Sequence, residues 1–125
     1  MRCDIFELLG DLEFYETNKN YPLALENYKT AHYAKRDNID IIIKMAKVHE
    51  KLREFDESIV YLKKALSKDK TNFIANYRLG CLYIRNNMKD EGLMHLKEAH
   101  RLDPEDVDTM IKLGEIYSRD DHKLD

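Results

Sequence analysis

Residues 72–104 read NFIANYRLGCLYIRNNMKDEGLMHLKEAHRLDP, and this stretch decides the fold. Leu79, Gly80 and Tyr83 sit at helical spacing in its first half, and Gly92, Leu96 and Ala99 in its second. Asp103-Pro104 then breaks the pattern. Outward from this stretch the same landmarks return every 34 residues. Ala31, Ala65 and Ala99 form one column; Tyr15, His49, Tyr83 and Tyr117 form another. Leu12, Ala46, Gly80 and Gly114 make a third, and Tyr28, Leu62 and Leu96 a fourth. A fixed period of this length marks a stacked solenoid, in which each unit buries its apolar face only against its neighbours. Such a stack offers a long continuous surface and usually carries no reactive centre.

The chain of 125 residues has the length of one domain. Charged residues make up 36% and hydrophobic residues 43%, which suits a soluble, helix-rich protein. A net charge of −3 gives no global signal for nucleic acid or membrane. Cys3 and Cys81 lie far apart without metal-like or redox spacing, so they read as free thiols in a reducing compartment. The amino terminus lacks the apolar run of a signal peptide. No stretch approaches the roughly 18 apolar residues of a membrane span. The expected location is cytoplasmic or nuclear.

Two prolines and four glycines leave few breakers, so each is informative. Ile5, Leu8, Leu9, Leu12 and Tyr15 form an apolar stripe on a first helix, stopped by the polar run Thr17–Asn20. Pro22 suits the first turn of the second helix, where its missing N–H costs nothing. Asn38 and Asn72 are cap residues for helices carrying Ile42-Met45-Ala46-His49 and Leu79-Gly80-Tyr83. Phe55, Ser58, Leu62 and Ala65 mark a fourth helix, Gly92, Leu96 and Ala99 a sixth. Asp103-Pro104-Glu105-Asp106 is a turn with an acidic cap before a seventh helix from Val107 to about Asp120. Ala46, Gly80 and Gly114 are expected to face Ala24, Ser58 and Gly92 where helices approach closely. A glycine inside a helix costs about 1 kcal/mol against alanine, so these glycines imply close packing as compensation.

These residues resemble the tetratricopeptide repeat family. Its pattern is an aromatic, Leu-Gly and Tyr in the first helix, then Ala, an aromatic, Ala and Pro through the second. Leu79-Gly80, Tyr83, Gly92, Leu96, Ala99 and Pro104 fit it best; Met45-Ala46 with His49, and Leu113-Gly114 with Tyr117, keep the spacing. The first unit departs. Counting back from Ala31 puts Asp11-Leu12 where Leu-Gly belongs, while Leu9-Gly10 lies two residues early. Two extra residues near Thr17–Asn20 therefore lengthen either the first helix or its turn. The resemblance implies an all-α fold, a right-handed α-solenoid (superhelix) of antiparallel helix pairs with about seven helices. Residues 1–125 would form a single domain with units at about 5–38, 39–72 and 73–106, and a half unit or capping helix at 107–120. It further implies a concave wall made by the first helix of each unit, which holds a peptide or helix of a partner. Members of this kind act as adaptors, co-chaperones or assembly scaffolds.

By periodicity, a second stripe lies on the opposite side of each first helix from the packed one; by the resemblance, it lines the groove. The candidate partner-binding residues are Ile43, Lys47 and Lys51 in the second unit, then Tyr77, Cys81, Ile84 and Arg85 in the third. Ile111 and Arg119 complete the set in the last helix. Tyr77, Cys81 and Ile84 make an apolar strip that fits an apolar anchor in the partner, unless adjacent helices bury it. Charge is divided as well. Asp4, Glu7, Asp11, Glu13 and Glu16 make the first helix acidic, whereas later first helices carry Lys44, Lys47, Lys51, Arg78, Arg85, Lys112 and Arg119. If those cations converge, an acidic segment is steered to them; the alternative is a solvated face with ordinary pairs. Some family members grip a heat-shock chaperone's carboxyl terminus with Lys and Asn in one unit, Asn in the next, and Lys and Arg in the third. Those positions read Leu9 and Glu13, Lys44, then Ile74 and Arg78 here, and only Arg78 matches. Started one unit later they read Ile43 and Lys47, Arg78, then Asp108 and Lys112, which also fails.

His32 and His100 share a repeat position with Leu66, which favours packing over metal binding; His49 replaces a tyrosine and is read as a packing residue. No phosphate loop, nucleophile elbow or paired-cysteine metal motif occurs, so no cofactor, no metal and no catalytic residue is expected. Nucleic acid is disfavoured by the negative charge and the lack of an aromatic–basic platform. The sequence therefore describes a non-enzymatic protein–protein interaction module with a partner that is apolar with acidic neighbours. A second reading is a structural element that self-associates through its C-terminal helix, where Val107, Met110, Ile111, Leu113, Ile116 and Tyr117 give a broad apolar face. A third is the targeting region of a larger enzyme.

Overall fold

The computed structural model describes the backbone of residues 2–15 and 20–124 and the side chains of residues 5–15 and 20–119. Among these residues there are seven helices and no strand: α1 (Arg2–Tyr15), α2 (Tyr21–Ala34), α3 (Ile39–Lys51), α4 (Phe55–Lys68), α5 (Phe73–Arg85), α6 (Lys89–Leu102) and α7 (Val107–Leu124). Each helix packs against the next one along the chain within two compact units, Met1–Asp69 and Lys70–Asp125. This is the helix-pair class that the 34-residue period predicts.

The caps and turns repeat with the same period. Asn38 and Asn72 accept hydrogen bonds from the backbone N–H groups of Ile41 and Ala75 at 3.2 and 2.9 Å. Asp106 does the same for Thr109, accepting from its N–H at 3.0 Å and its hydroxyl at 2.7 Å. Each satisfies donors that the first turn of a helix leaves unpaired. Pro22 stands in the first turn of α2. The α3–α4 and α5–α6 turns close on Arg53 and Asn87, both at φ 62°. In each, two backbone bonds seal the helix end: Glu54 N–H to His49 O and Met88 N–H to Tyr83 O, both 2.8 Å, with Arg53 and Asn87 reaching back to Glu50 and Ile84. Glycine normally takes this left-handed position. Asparagine tolerates it; arginine is strained there.

The packing columns hold for α3 and α5. Ile42, Met45, Ala46 and His49 are buried, as are Leu79, Gly80 and Tyr83. Ser58 donates its hydroxyl to the Ala46 carbonyl at 2.9 Å. A Cβ placed on Gly80 would lie 3.1 Å from the Gly92 carbonyl oxygen, and one on Gly92 equally near that of Gly80. The backbones of α5 and α6 therefore touch. Gly114 does not share this role: nothing among the described residues lies within 4 Å of the position a side chain would take there.

The first unit requires a correction. Ile5, Leu8, Leu9, Leu12 and Tyr15 are exposed, Tyr15 to 62%, so the expected inner stripe faces outward. Gly10 and Phe14 are buried instead, and a Cβ on Gly10 would meet the Tyr28 ring at 2.6 Å. Gly10 rather than Leu12 thus stands in the Ala46 and Gly80 column, and Tyr15 is not part of the His49 and Tyr83 column. The reason is steric: Tyr28 replaces the leucine found at Leu62 and Leu96, and its larger ring needs a residue without a side chain opposite. Residues 16–20 separate α1 from α2, whereas three residues separate α3 from α4 and α5 from α6. The expected two extra residues fall in this segment, of which 16–19 lie outside the described residues.

Candidate partner-binding face

In the first unit a polar chain joins three helices. The Tyr28 hydroxyl donates to Asp11 Oδ1 at 2.5 Å, and Lys44 Nζ donates to Asp11 Oδ2 at 3.1 Å and Glu7 Oε2 at 2.6 Å. Burial opposes the Lys44 charge, but the bonds to Glu7 and Asp11 outweigh it and hold its pKa above the ordinary lysine value. Burial first, then the bond to Asp11, push the Tyr28 phenol up as well. Lys44 is thus neutralised by α1's own carboxylates, which removes it from the set of cations available to an acidic ligand. Local spacing gave no sign of this chain, because its members lie 17, 33 and 37 residues apart. The one signal was a phenol at Tyr28 where the repeat has leucine, since a buried hydroxyl requires a partner.

The outer stripe of α3 is uneven. Ile43 is only 4% exposed and is a core residue, so it offers a partner almost no area. Lys47 is half-buried and already engaged by a neighbour, while Lys51 is exposed.

In the second unit Tyr77 and Cys81 are half-buried one turn apart on α5. Burial first, then Cys81, with Asp108 and Asp106 adding charge, push the Tyr77 phenol up. Tyr77 therefore feels the acidic start of α7. Ile84 is turned elsewhere: its Cδ1 would be 2.5 Å from a Cβ on Gly92, so it fills the space over that glycine between α5 and α6. The expected strip of Tyr77, Cys81 and Ile84 is thus a pair plus a packing residue. Arg85, Ile111 and Arg119 are exposed. Arg78 and Arg85 both have interactions within the chain.

His49 and His95 serve packing. His49 stacks on Tyr61 at 5.3 Å between ring centres, with its Nδ1 3.0 Å from Glu54 Oε1. His95 stacks on Tyr83 at 5.7 Å, with its Nδ1 3.1 Å from the buried Asn76 Oδ1. Asn76 in turn donates to the carbonyls of Lys70 and Asn72 at 3.1 and 3.0 Å. His32 Nε2 lies 3.3 Å from Lys64 Nζ. Among the described residues, no group of three or more His, Cys, Asp or Glu side chains is placed to hold a metal ion. No helix among them is long and apolar enough to cross a membrane.

Similar folds occur in several solved structures. The first tetratricopeptide repeat domain of Spaghetti (RPAP3), bound to the HSP90 peptide SRMEEVD, aligns with a TM-score of 0.87 at 16% identity, over 94% of this chain and 92% of that one. The Arabidopsis OM64 tetratricopeptide repeat domain aligns at 0.80 and 19% identity, over 87% and 88%. MamA aligns at 0.83 and 25% identity, over 94% of this chain and 63% of that one. No curated protein sequence matches this chain. Residues 39–72 and 74–106 each match the tetratricopeptide repeat family, and with the cap, turn and packing columns recurring over the same spans, the chain belongs to that family.

Proposed function

We propose that this chain is a non-enzymatic interaction module that holds a peptide or helix of a protein partner on the outer stripe of its first helices, in an adaptor or scaffold role within the cytoplasm or nucleus. The observation that carries the reading is the division of α5. Its inner column is fully committed to α6, whereas Tyr77 and Cys81 keep accessible surface on another side. A half-buried tyrosine that keeps accessible surface is the kind of group that anchors protein interfaces. In the second unit Tyr77, Cys81, Arg85, Ile111 and Arg119 are the proposed contacts; in the first, Lys47 and Lys51 are. Lys44 and Ile43 are left to the fold. The ligand favoured is an apolar side chain with acidic neighbours for Arg85 and Arg119.

The Spaghetti domain carries a chaperone peptide, yet the same ligand is not the reading here. With Gly10 in the Gly80 column, the first unit's clamp positions fall on Glu7 and Asp11, carboxylates where cations or amides are needed; these two occupy Lys44, and Ile74 stands where the third unit needs a cation. Affinity capture with the wild-type chain, Tyr77→Ala and Arg85→Glu tests the proposal, with helicity checked by circular dichroism. Both variants should lose proteins that an Arg101→Glu control on α6 retains. Capture of the same proteins by all of them refutes the assignment.

A further inference from the structure

Three sets of residues run along α7. Thr109 and Ile116 are buried on the side where α6 packs, with Leu113 half-buried beside them. Asp108, Lys112, Glu115 and Arg119 form an exposed charged stripe. Between the two, at about 100° per residue, lie Val107, Met110, Ile111, Gly114, Tyr117 and Ser118, all exposed and none charged. The repeat shows what such a face meets. Met110, Gly114 and Tyr117 correspond to Asn76, Gly80 and Tyr83 and to Ile42, Ala46 and His49, and all six of these are buried. The covering helices α6 and α4 bring the same two features each time. A small residue, Gly92 or Ser58, meets the small residue of the first helix at backbone distance. Three residues further on, a ring stacks on a ring: His95 on Tyr83, and Tyr61 on His49.

We propose that α7 docks against α7 of a second copy of this chain, with Gly114 opposite Gly114 and the Tyr117 rings stacked about a two-fold axis. The face is self-complementary because it supplies both roles, the glycine and the aromatic three residues later. The charged stripe of α7 lies to one side of this face, and Lys97 of α6 has its Nζ 6.0 Å from the Tyr117 ring centre, at the edge of the contact. The other exposed apolar helix face, on α1, consists of Ile5, Leu8, Leu9, Leu12 and Tyr15 and has no small residue for Gly114 to meet. One helix face per copy is smaller than the roughly 800 Å² that a stable dimer buries on each partner, so the association is weak and reversible. Of the proposed groove contacts, Ile111 alone also lies on this face.

Sedimentation equilibrium of the 125-residue chain from micromolar to millimolar concentration tests this. The expected result is a monomer–dimer equilibrium with no larger species. Met110→Glu and Tyr117→Glu, at positions 44% and 43% exposed, should each weaken it about tenfold or more, as loss of a central apolar contact does. Gly114→Ala should weaken it too, while Lys112→Glu in the charged stripe leaves it unchanged. Circular dichroism verifies helicity, and two charge substitutions at separate positions keep the result readable if one unfolds. A strict monomer at millimolar concentration overturns the proposal, as does a dimer indifferent to both glutamates. So do open-ended oligomers lost on Leu8→Glu, which would place α1 in the contact.

Discussion

Gly80 and Gly114 occupy the same position of successive first helices, yet alanine should act on them in opposite directions. Replacing a glycine inside a helix by alanine gains about 1 kcal/mol from the backbone alone. At Gly114 nothing opposes the new methyl, since among the described residues no atom beyond its chain neighbours and its own helix backbone lies within 4 Å. The full gain should appear. At Gly80 the methyl would stand 2.8 Å from Leu96 Cγ and 3.1 Å from the Gly92 carbonyl oxygen. Leu96 is fully buried, Cγ is its branch point, and the carbonyl belongs to the α6 backbone, so neither can swing aside. Overpacking of this kind costs about 1–3 kcal/mol, which cancels or exceeds the helix gain. The backbone term is common to both variants, so their difference, about 1–3 kcal/mol, isolates the cost of the α5–α6 crossing. Urea unfolding in dilute solution, where pairing through α7 is not populated, should give a raised midpoint for Gly114→Ala and a lowered or unchanged one for Gly80→Ala, with similar slopes. If Gly80→Ala is as stabilising as Gly114→Ala, the two helices do not touch at that point and the packing argument fails.

Other perturbations test the remaining joints. Tyr28→Phe removes a hydroxyl bonded to a carboxylate that Lys44 still pairs, and should cost about 1–2 kcal/mol; an unchanged thermal midpoint would mean the chain through Asp11 contributes nothing. Asn72→Ala removes the cap on the Ala75 N–H and should cost about 1 kcal/mol, measurable by urea titration. His32 is held below its ordinary value of 6.5, first by burial and then by Lys64, Arg36 and Lys68. The folded chain therefore binds fewer protons at this site than the unfolded one just below that pH, and stability falls on acidification through it, levelling off below the folded pKa. His32→Leu, which installs the residue found at Leu66, should flatten that part of the stability profile; an unaltered profile would exclude His32 as its source.

What the sequence made legible was whatever repeats or acts locally. Asn38, Asn72, Asp106 and Pro22 declare their caps because capping depends on neighbours three residues away. Ile42, Met45, Ala46 and His49 declare an inner face because polar residues occupy the other sides of α3. Helix α1 defeats that logic, since Phe6 and Phe14 lie on one side and Ile5, Leu8 and Leu12 on another. An apolar count cannot choose between two such faces. The deciding residue was Gly10, which contributes no apolar surface and matters only through Tyr28, 18 residues on. Lys44 was misjudged for a related reason: it reads as one more groove cation until α1 is folded against it. Ile43 reads as an outer-stripe residue by spacing, and only the packing of the folded chain assigns it to the core. Arg53 and Asn87 take a glycine's conformation without being glycine, so the sealed turns left no composition signal.

The two ring pairs explain how a tight repeat coexists with freedom to bind. His49 and Tyr83 are equivalent positions, as are Tyr61 and His95, so the second repeat pairs His with Tyr and the third pairs Tyr with His. The joint needs one imidazole stacked on one phenol and is indifferent to which helix supplies which. Its polar tether changes too, from Glu54 beside His49 to the buried amide of Asn76 beside His95. A column can therefore vary in identity while the spacing between paired helices is kept, because stacked rings of similar thickness fix the distance. That places the constraint of the fold on the inner columns and on the glycines that let backbones meet. The outer stripe is held to no such rule: it runs from Lys47 and Lys51 in one repeat to Cys81 and Arg85 in the next. Differences between repeats on that side are where recognition of a particular partner can be written without disturbing the stack.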